Sequence, residues 1–292
     1  MAAGIGVSDL NTYATNTWCP GCGNFAIERA AKLAFVELVS EGEVKRENLV
    51  MLSGIGCHGK IADYIDLNSF YSIHGRVPGP ATGIRLANRE LVVVGFAGDG
   101  DAYGEGLDHL IFAAKRNVNM TMIIHDNRVY GLTTGQFTPT SPKGFEGKST
   151  PRGAPEGPIN PIQLMLSVGA TFVARAYSGR LDHMKDVFKR AIMHKGFALV
   201  DALQPCFTFF DTYSYYNSRV YDLQDEKHDH ADWNAALAKS REWDYGGEES
   251  GRIPIGIFYQ AERPTYEDAV VAGKNLLDSS PPGLQDLLRE HM

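Results

Sequence analysis

Unbroken apolar runs, each too short for a long helix, constrain this chain more than any other feature. LVMLSGIG (49–56), LVVVGF (91–96) and MTMIIHD (120–126) set apolar side chains at successive positions with little polar alternation. A strand of that kind is buried on both faces, which is the condition of a parallel sheet covered by helices. The segments between them supply the helices. NFAIERAAKLAFVELV (24–39) puts Ile27, Ala31, Ala34 and Leu38 on one face, with Asn24 as its N-cap. PATGIRLAN (80–88) and LDHLIFAAKRN (107–117) read as two more helices. TFVARAY (171–177) and FALVDAL (197–203) flank a further helix whose stripe is Leu181, Met184, Phe188 and Ala191. The expected fold is α/β, a parallel sheet with helices on both faces, over residues 1–210.

Two stretches fall outside this alternation. Residues 134–158 are dense in Gly and Pro, and a loop this long inside a compact domain is usually functional or mobile. Residues 211–292 are rich in Tyr, Asp and Glu with weak periodicity, and read as a C-terminal extension packing on a partner subunit.

The composition narrows the function. The net charge is −7 and no block of Lys and Arg stands out, which disfavours nucleic acid as a ligand. No apolar run approaches the length of a membrane span. The first residues, MAAGIGVSDLNTYA, lack a basic segment followed by an apolar one, so a cytoplasmic location is expected. Four cysteines in 292 residues are few for a disulfide scaffold, so they are core residues or ligands.

GFAGDGDAYGEG (95–106) follows a buried strand with three carboxylates, Asp99, Asp101 and Glu105, spaced by glycines. Like charges this close repel, so something outside the chain should compensate. If 107–117 is a right-handed crossover, Asp99 and Asn127 leave neighbouring parallel strands at the same sheet edge, about 4.8 Å apart. That edge is where such sheets bind ligands. Glycines 98, 100 and 104 admit a close backbone approach, and a helix starting near Gly106 offers free N–H groups to phosphate. The arrangement suits Mg2+, which joins one or two protein oxygens to a diphosphate. A GxGxxG nucleotide loop is the competitor, but an acidic loop repels a bare pyrophosphate.

The cysteines are Cys19 and Cys22 in WCPGCGNF, Cys57 in GIGCHGK and Cys206 in LQPCFTFF. A set of four suits zinc or a [4Fe–4S] cluster, and spacing alone does not choose. Gly21 and Gly23 leave N–H groups free to bond ligand sulfur.

GDGDAYGEG followed by DNRVYGLTTGQ resembles the diphosphate-binding module of thiamine-diphosphate enzymes. With CPGCG, GIGC-x-x-K, HGR and a late Cys in order over residues 18 to 210, the chain resembles the β subunit of 2-oxoacid:ferredoxin oxidoreductases, most closely the 2-oxoglutarate branch. The resemblance implies a thiamine-diphosphate-binding fold. Asp99, Asn127 and the Val129 carbonyl would hold Mg2+. Ile55, Gly56, Cys57, His58, His74, Gly100, Asp101, Gly131 and Leu132 would lie around the cofactor. Cys19, Cys22, Cys57 and Cys206 would hold one [4Fe–4S] cluster. One departure is Asp126, where the family usually has Asn. Lys60, His74 and Arg76 are the candidate catalytic residues, one of the two cations meeting a substrate carboxylate.

The implied reaction is coenzyme-A-dependent oxidative decarboxylation of 2-oxoglutarate, with electrons passed to ferredoxin. Pyruvate or broad 2-oxo-acid specificity is the alternative. A non-redox thiamine decarboxylase and a non-catalytic iron–sulfur carrier are the rival readings. The glutamate that activates thiamine is expected on a larger α (or fused γα) subunit, in an α2β2 assembly.

Overall fold

The computed structural model describes residues 5–246, 251–271, 276–278, 280 and 283–290. The apolar runs become its central strands: β1 (Leu49–Ser53), β3 (Val92–Gly98), β4 (Met120–Asp126), β7 (Phe172–Tyr177) and β8 (Phe197–Leu203). With β2 (Asn68–Tyr71), β9 (Val220–Asp222) and β10 (Ile253–Gln260) they form one sheet in the order β2-β1-β3-β4-β8-β7-β10-β9. Every neighbouring pair is parallel except β10 with β7. A two-stranded antiparallel ribbon, β5 (Val129–Tyr130) and β6 (Gln136–Phe137), lies apart from it.

Alternate residues of each central strand enter opposite cores, as the two-residue period requires. On one face Val94, Phe96, Ile123, Ala198 and Val200 meet α1 (Asn24–Ser40) and α6 (Leu181–Met193) through Ile27, Phe35, Met184 and Phe188. On the other, Val93, Met122, Ile124 and Leu199 meet α3 (Pro78–Ala87), α4 (Leu107–Arg116) and α5 (Pro161–Val168) through Ala81, Leu110, Ile162 and Met165. Each such buried Leu, Ile or Phe contributes roughly 1.5–3 kcal/mol. This is the expected sheet with helices on both faces. Among the described residues no helix is long and apolar enough to cross a membrane.

The stretch after residue 210 is less separate than its sequence suggests. β9 and β10 extend the main sheet, and Tyr216, Trp243, Tyr245, Ile253 and Ile255 close a third buried cluster on Tyr177 and Leu203. The Gly- and Pro-rich loop 134–158 is also anchored. Thr138, Thr140 and Ser141 are buried, and Phe145 and Ala154 pack against Val129.

β3 and β4 lie side by side with Gly98 opposite His125, so Asp99 and Asn127 leave the same edge of the sheet. After β3 the chain enters a π-helical turn, Gly100–Glu105, before α4 begins. α4 thus begins beside Gly106 as expected, but the cavity at this edge is lined by Gly100 of the π-helical turn, and Gly106 is pressed against Gly75. A Cβ on Gly106 would sit 2.3 Å from the Gly75 carbonyl oxygen.

Candidate active site

One cavity at this edge gathers the loops after β1, β3 and β4. It is lined by Ile55, Gly56, Cys57, His58, His74, Gly98, Asp99, Gly100, Asp101, Asn127, Val129, Tyr130, Gly131, Leu132 and Thr133. Every residue expected around the cofactor, and all three expected Mg2+ ligands, lie on it.

Asp101 organises one wall. Its Oδ1 accepts from the Gly75 amide at 2.7 Å and lies 2.7 Å from His74 Nδ1. Its Oδ2 lies 3.2 Å from His58 Nε2. The two histidine contacts are close enough for ion pairs but lack hydrogen-bond angles. Burial alone would raise this carboxyl, yet His58, the Gly75 amide and His74 together hold it below its ordinary value. His58 is itself buried, and Gly98 and Gly56 make room for it. A Cβ on Gly98 would lie 2.7 Å from His58 Nδ1, and Gly56 holds φ +143.

Asp99, also on the cavity, is buried, and burial pushes its pKa up to about 6. Thr140 Oγ1 donates toward it at 2.8 Å and stands equally 2.8 Å from Asp126 Oδ1. One hydroxyl proton serves one acceptor at a time, so two buried carboxylates compete for one donor. Asp126 is raised well above its ordinary value by burial, then by Asp201 and Asp99. Its Oδ1 also accepts from the Arg128 amide at 3.1 Å. Among the described residues Asp126 is not part of the cavity lining; it is a structural member of the acid group behind it.

Between Asn127 and Val129, Arg128 adopts φ 61, an uncommon conformation for a residue with a Cβ. Its guanidinium holds it there, bonded to the carbonyls of Thr140 at 2.8 Å and of Tyr245. The turn brings Asn127 Oδ1 onto the Val129 amide at 2.9 Å. Tyr130 then crosses over Gly100, its hydroxyl donating to the Gly100 carbonyl at 3.1 Å. A Cβ on Gly100 would lie 2.2 Å from the Tyr130 ring.

The cysteines converge beside this cavity. A Cβ on Gly131, a lining residue, would lie 3.6 Å from Cys57 Sγ and 3.7 Å from Cys206 Sγ. All four thiols are free. The Cys22 thiol is pushed up to about 12 by burial, then by Cys206, Cys57 and Cys19, while the Asn24 amide bonds its sulfur and opposes the rise. Cys57 is raised by burial and by Cys206 and Cys19, with nearby Lys60 opposing. The four sulfurs thus lie within electrostatic reach of one another. Among the described residues, no three Cys, His, Asp or Glu side chains are grouped closely enough to hold a single ion.

Two details depart from the sequence reading. Gly23 N–H bonds the Pro205 carbonyl at 3.2 Å, so the amide on the Cys22 sulfur is that of Asn24. Asn24 is the first residue of α1 and not its cap; its Oδ1 lies 2.8 Å from His125 Nδ1, both side chains fully buried.

Of the candidate catalytic residues, His74 lines the cavity and the two cations do not. Lys60 Nζ donates to Thr17 Oγ1 at 3.0 Å, and Arg76 donates to the Glu105 carbonyl at 3.0 Å. Thr140, Tyr130 and Gly75 carry structural parts of the site that the sequence reading omitted. For Gly75 the HGR motif was the available signal. For Thr140, buried in a Gly- and Pro-rich loop, there was none.

Residues 54–202, which contain the cavity loops of β1, β3 and β4, match the thiamine pyrophosphate enzyme C-terminal TPP binding domain. Residues 205–274 match the C-terminal region of the pyruvate ferredoxin oxidoreductase β subunit. A 2-oxoacid:ferredoxin oxidoreductase β subunit from Aeropyrum pernix is 41% identical across 99% of this chain and 92% of its own length. The chain belongs to the β subunits of the 2-oxoacid:ferredoxin oxidoreductases.

Within that family, the 2-oxoglutarate oxidoreductase subunit KorB of Mycobacterium tuberculosis is 36% identical over 93% of this chain and 83% of its own. A solved 2-oxoglutarate:ferredoxin oxidoreductase from Magnetococcus marinus, with 2-oxoglutarate, coenzyme A and succinyl-CoA bound, matches with a TM-score of 0.88 and 34% identity. It covers 98% of this chain and 96% of that one. Having a thiamine-diphosphate-binding domain, this 2-oxoacid:ferredoxin oxidoreductase β subunit is an enzyme component, and one built to work with an α partner.

Proposed function

We propose that this chain is the β subunit of a 2-oxoglutarate:ferredoxin oxidoreductase forming succinyl-CoA, with Mg2+-bound thiamine diphosphate in the cavity and one [4Fe–4S] cluster on its four cysteines. The observation that carries this reading is the position of Gly131, which faces both the cofactor cavity and the sulfurs of Cys57 and Cys206. An electron leaving the cavity has a cluster site at its wall. The relatives named for 2-oxoglutarate, and the neighbour with that substrate bound, support the choice of substrate.

The donor sets fit the groups. Asp99, the Asn127 amide oxygen and the Val129 carbonyl are hard oxygen donors of the kind Mg2+ takes beside phosphate. A divalent cation would offset the cost of burying the Asp99 carboxylate, whose pKa burial raises. Four thiols without disulfide partners fit an iron–sulfur cluster. Bound thiamine diphosphate supplies the carbon nucleophile and electron sink, and the cluster a one-electron acceptor. The chain's own part is placement. Asp101 fixes His58 and His74, and with His74 Nδ1 against a carboxylate its Nε2 is the ring atom left for a ligand.

The partner reading has its own support. Beside the cavity, Phe70, Tyr71, Ile73 and Leu132 are 47%, 48%, 71% and 50% exposed, an apolar rim of the kind that interfaces cover. An α (or fused γα) subunit seated there, in an α2β2 assembly, would close the site, and the chain after residue 210 would add to that contact. Ferredoxin would receive the electrons, and the complex would work in the cytoplasm.

Anaerobic purification with the α subunit, followed by iron, sulfide and thiamine analysis, tests this. About four irons per β chain and one thiamine diphosphate are expected, with ferredoxin reduction that requires 2-oxoglutarate and coenzyme A. Zinc in place of iron would end the cluster assignment. Equal or faster turnover of pyruvate would end the substrate assignment.

A further inference from the structure

Gln204 follows β8 and is 1% exposed. Its amide N–H bonds the Asp126 carbonyl at 2.8 Å, which holds its backbone to the end of β4. Its side-chain nitrogen lies 2.9 Å from the Pro205 carbonyl and 3.5 Å from Cys22 Sγ. A carbonyl only accepts, so the atom facing Pro205 is the NH2 group and the amide cannot be turned the other way. Its second hydrogen is then the one aimed at the sulfur. Gly23 makes this reach possible, since a Cβ there would lie 2.9 Å from Gln204 Cγ. The Pro205 carbonyl accepts from Gly23 as well, so the segment 204–205 is strapped to the CPGCG loop at two points.

We infer that Gln204 is a positioning residue for the electron-transfer step: its side-chain N–H donates to the Cys22 sulfur and raises the reduction potential of the cluster held there. This rests on the iron–sulfur reading above. Reduction adds negative charge to the cluster and its sulfurs. A donor on a ligand sulfur therefore stabilises the reduced state more than the oxidised one. The Asn24 backbone amide on the same sulfur is present with every residue type but proline, whereas the Gln204 donor is set by its side chain. Cys22 is thereby a ligand whose donor is set by side-chain identity.

The test uses the anaerobic αβ complex. Gln204→Met keeps the length and bulk of the side chain and removes the donor. The expected result is unchanged iron, sulfide and thiamine diphosphate content, with the equilibrium constant for one-electron reduction lowered about tenfold. That is a fall of about 59 mV in the midpoint followed by electron paramagnetic resonance. A midpoint unchanged in a fully loaded Gln204→Met complex overturns the inference. If that variant fails to hold its cluster, the wild-type complex grown with 15N in glutamine side chains decides. A 15N hyperfine coupling to the reduced cluster supports the donor, and its absence overturns it. Wild-type protein with no iron and sulfide refutes the cluster reading itself, a result separate from either of these.

Discussion

Gly54 stands where any side chain would strike Asp101: a Cβ there would lie 1.8 Å from Asp101 Oδ2. Asp101 has no easy retreat, because the Gly75 amide holds its other oxygen and both histidines crowd it. Gly54→Ala should therefore turn the carboxylate and loosen His58 and His74 together. Losing one hydrogen bond to a charged group costs roughly 1.5–3 kcal/mol. Thiamine diphosphate affinity is expected to fall tenfold or more, read by calorimetry on the purified complex. Wild-type affinity in Gly54→Ala would show that Asp101 does not set the cavity wall.

Thr140 and Asp99 give a graded pair. Asp99→Ala removes a proposed Mg2+ ligand and should abolish retention of thiamine diphosphate through gel filtration. Thr140→Val keeps the ligand and deletes the hydroxyl shared with Asp126. Losing one hydrogen bond to a buried carboxylate costs roughly 1.5–3 kcal/mol, so the variant should unfold earlier yet still bind cofactor weakly. Thr140→Ser should restore both. If Asp99→Ala kept full occupancy, the metal assignment would be wrong.

Cys206→Ser separates the two halves of the site. Cys206 Sγ lies close to Gly131, and although Asn127 is also near that glycine, Cys206 itself is not among the residues lining the cavity. Cofactor content should stay near one per chain, while the paramagnetic signal of the reduced cluster and ferredoxin reduction are lost. Loss of thiamine diphosphate along with the signal would mean that the sulfurs shape the cavity itself.

The parts of the fold that could be read in the sequence were those where burial and periodicity agree. β3, β4 and β8 are buried along nearly their whole length, and their apolar runs say so. β10 was missed because Pro254 and Gly256 interrupt IPIGIFYQ, and both weaken a strand signal. Pro254 is accommodated, and its carbonyl accepts from Arg175 at 3.0 Å. β2 is exposed at every position, so it carries no apolar pattern to find. Asn24 misled for a different reason. Its residue type is a good helix cap, but His125, about a hundred positions away, claims its side chain, and nothing local signals that. The site followed the same rule: Asp99, Asn127 and the cysteines stand in glycine-marked loops, while Thr140 and Gln204 act only through contacts made after folding.

His194 supplies a pH test independent of any cofactor. It is 7% exposed at the end of α6, and its Nε2 lies 2.8 Å from Thr171 Oγ1. The Thr171 hydroxyl has its own acceptor, Asn117 Oδ1 at 2.6 Å, so the imidazole Nε2–H is the donor. Burial lowers its pKa to about 4, against about 6.5 in an unfolded chain. The stability this provides is fully present above pH 6.5 and is lost as pH falls toward 4, because the unfolded chain takes up the proton first. The loss from this residue amounts to roughly 2–3 kcal/mol. His125 is lowered for the same reason and adds to the trend, so the measurement has to be a difference. His194→Gln keeps a donor for Thr171 and cannot titrate. Its denaturant midpoint should fall less between pH 7.5 and 4.5 than that of the wild type, and parallel curves would show that His194 is charged inside the folded protein.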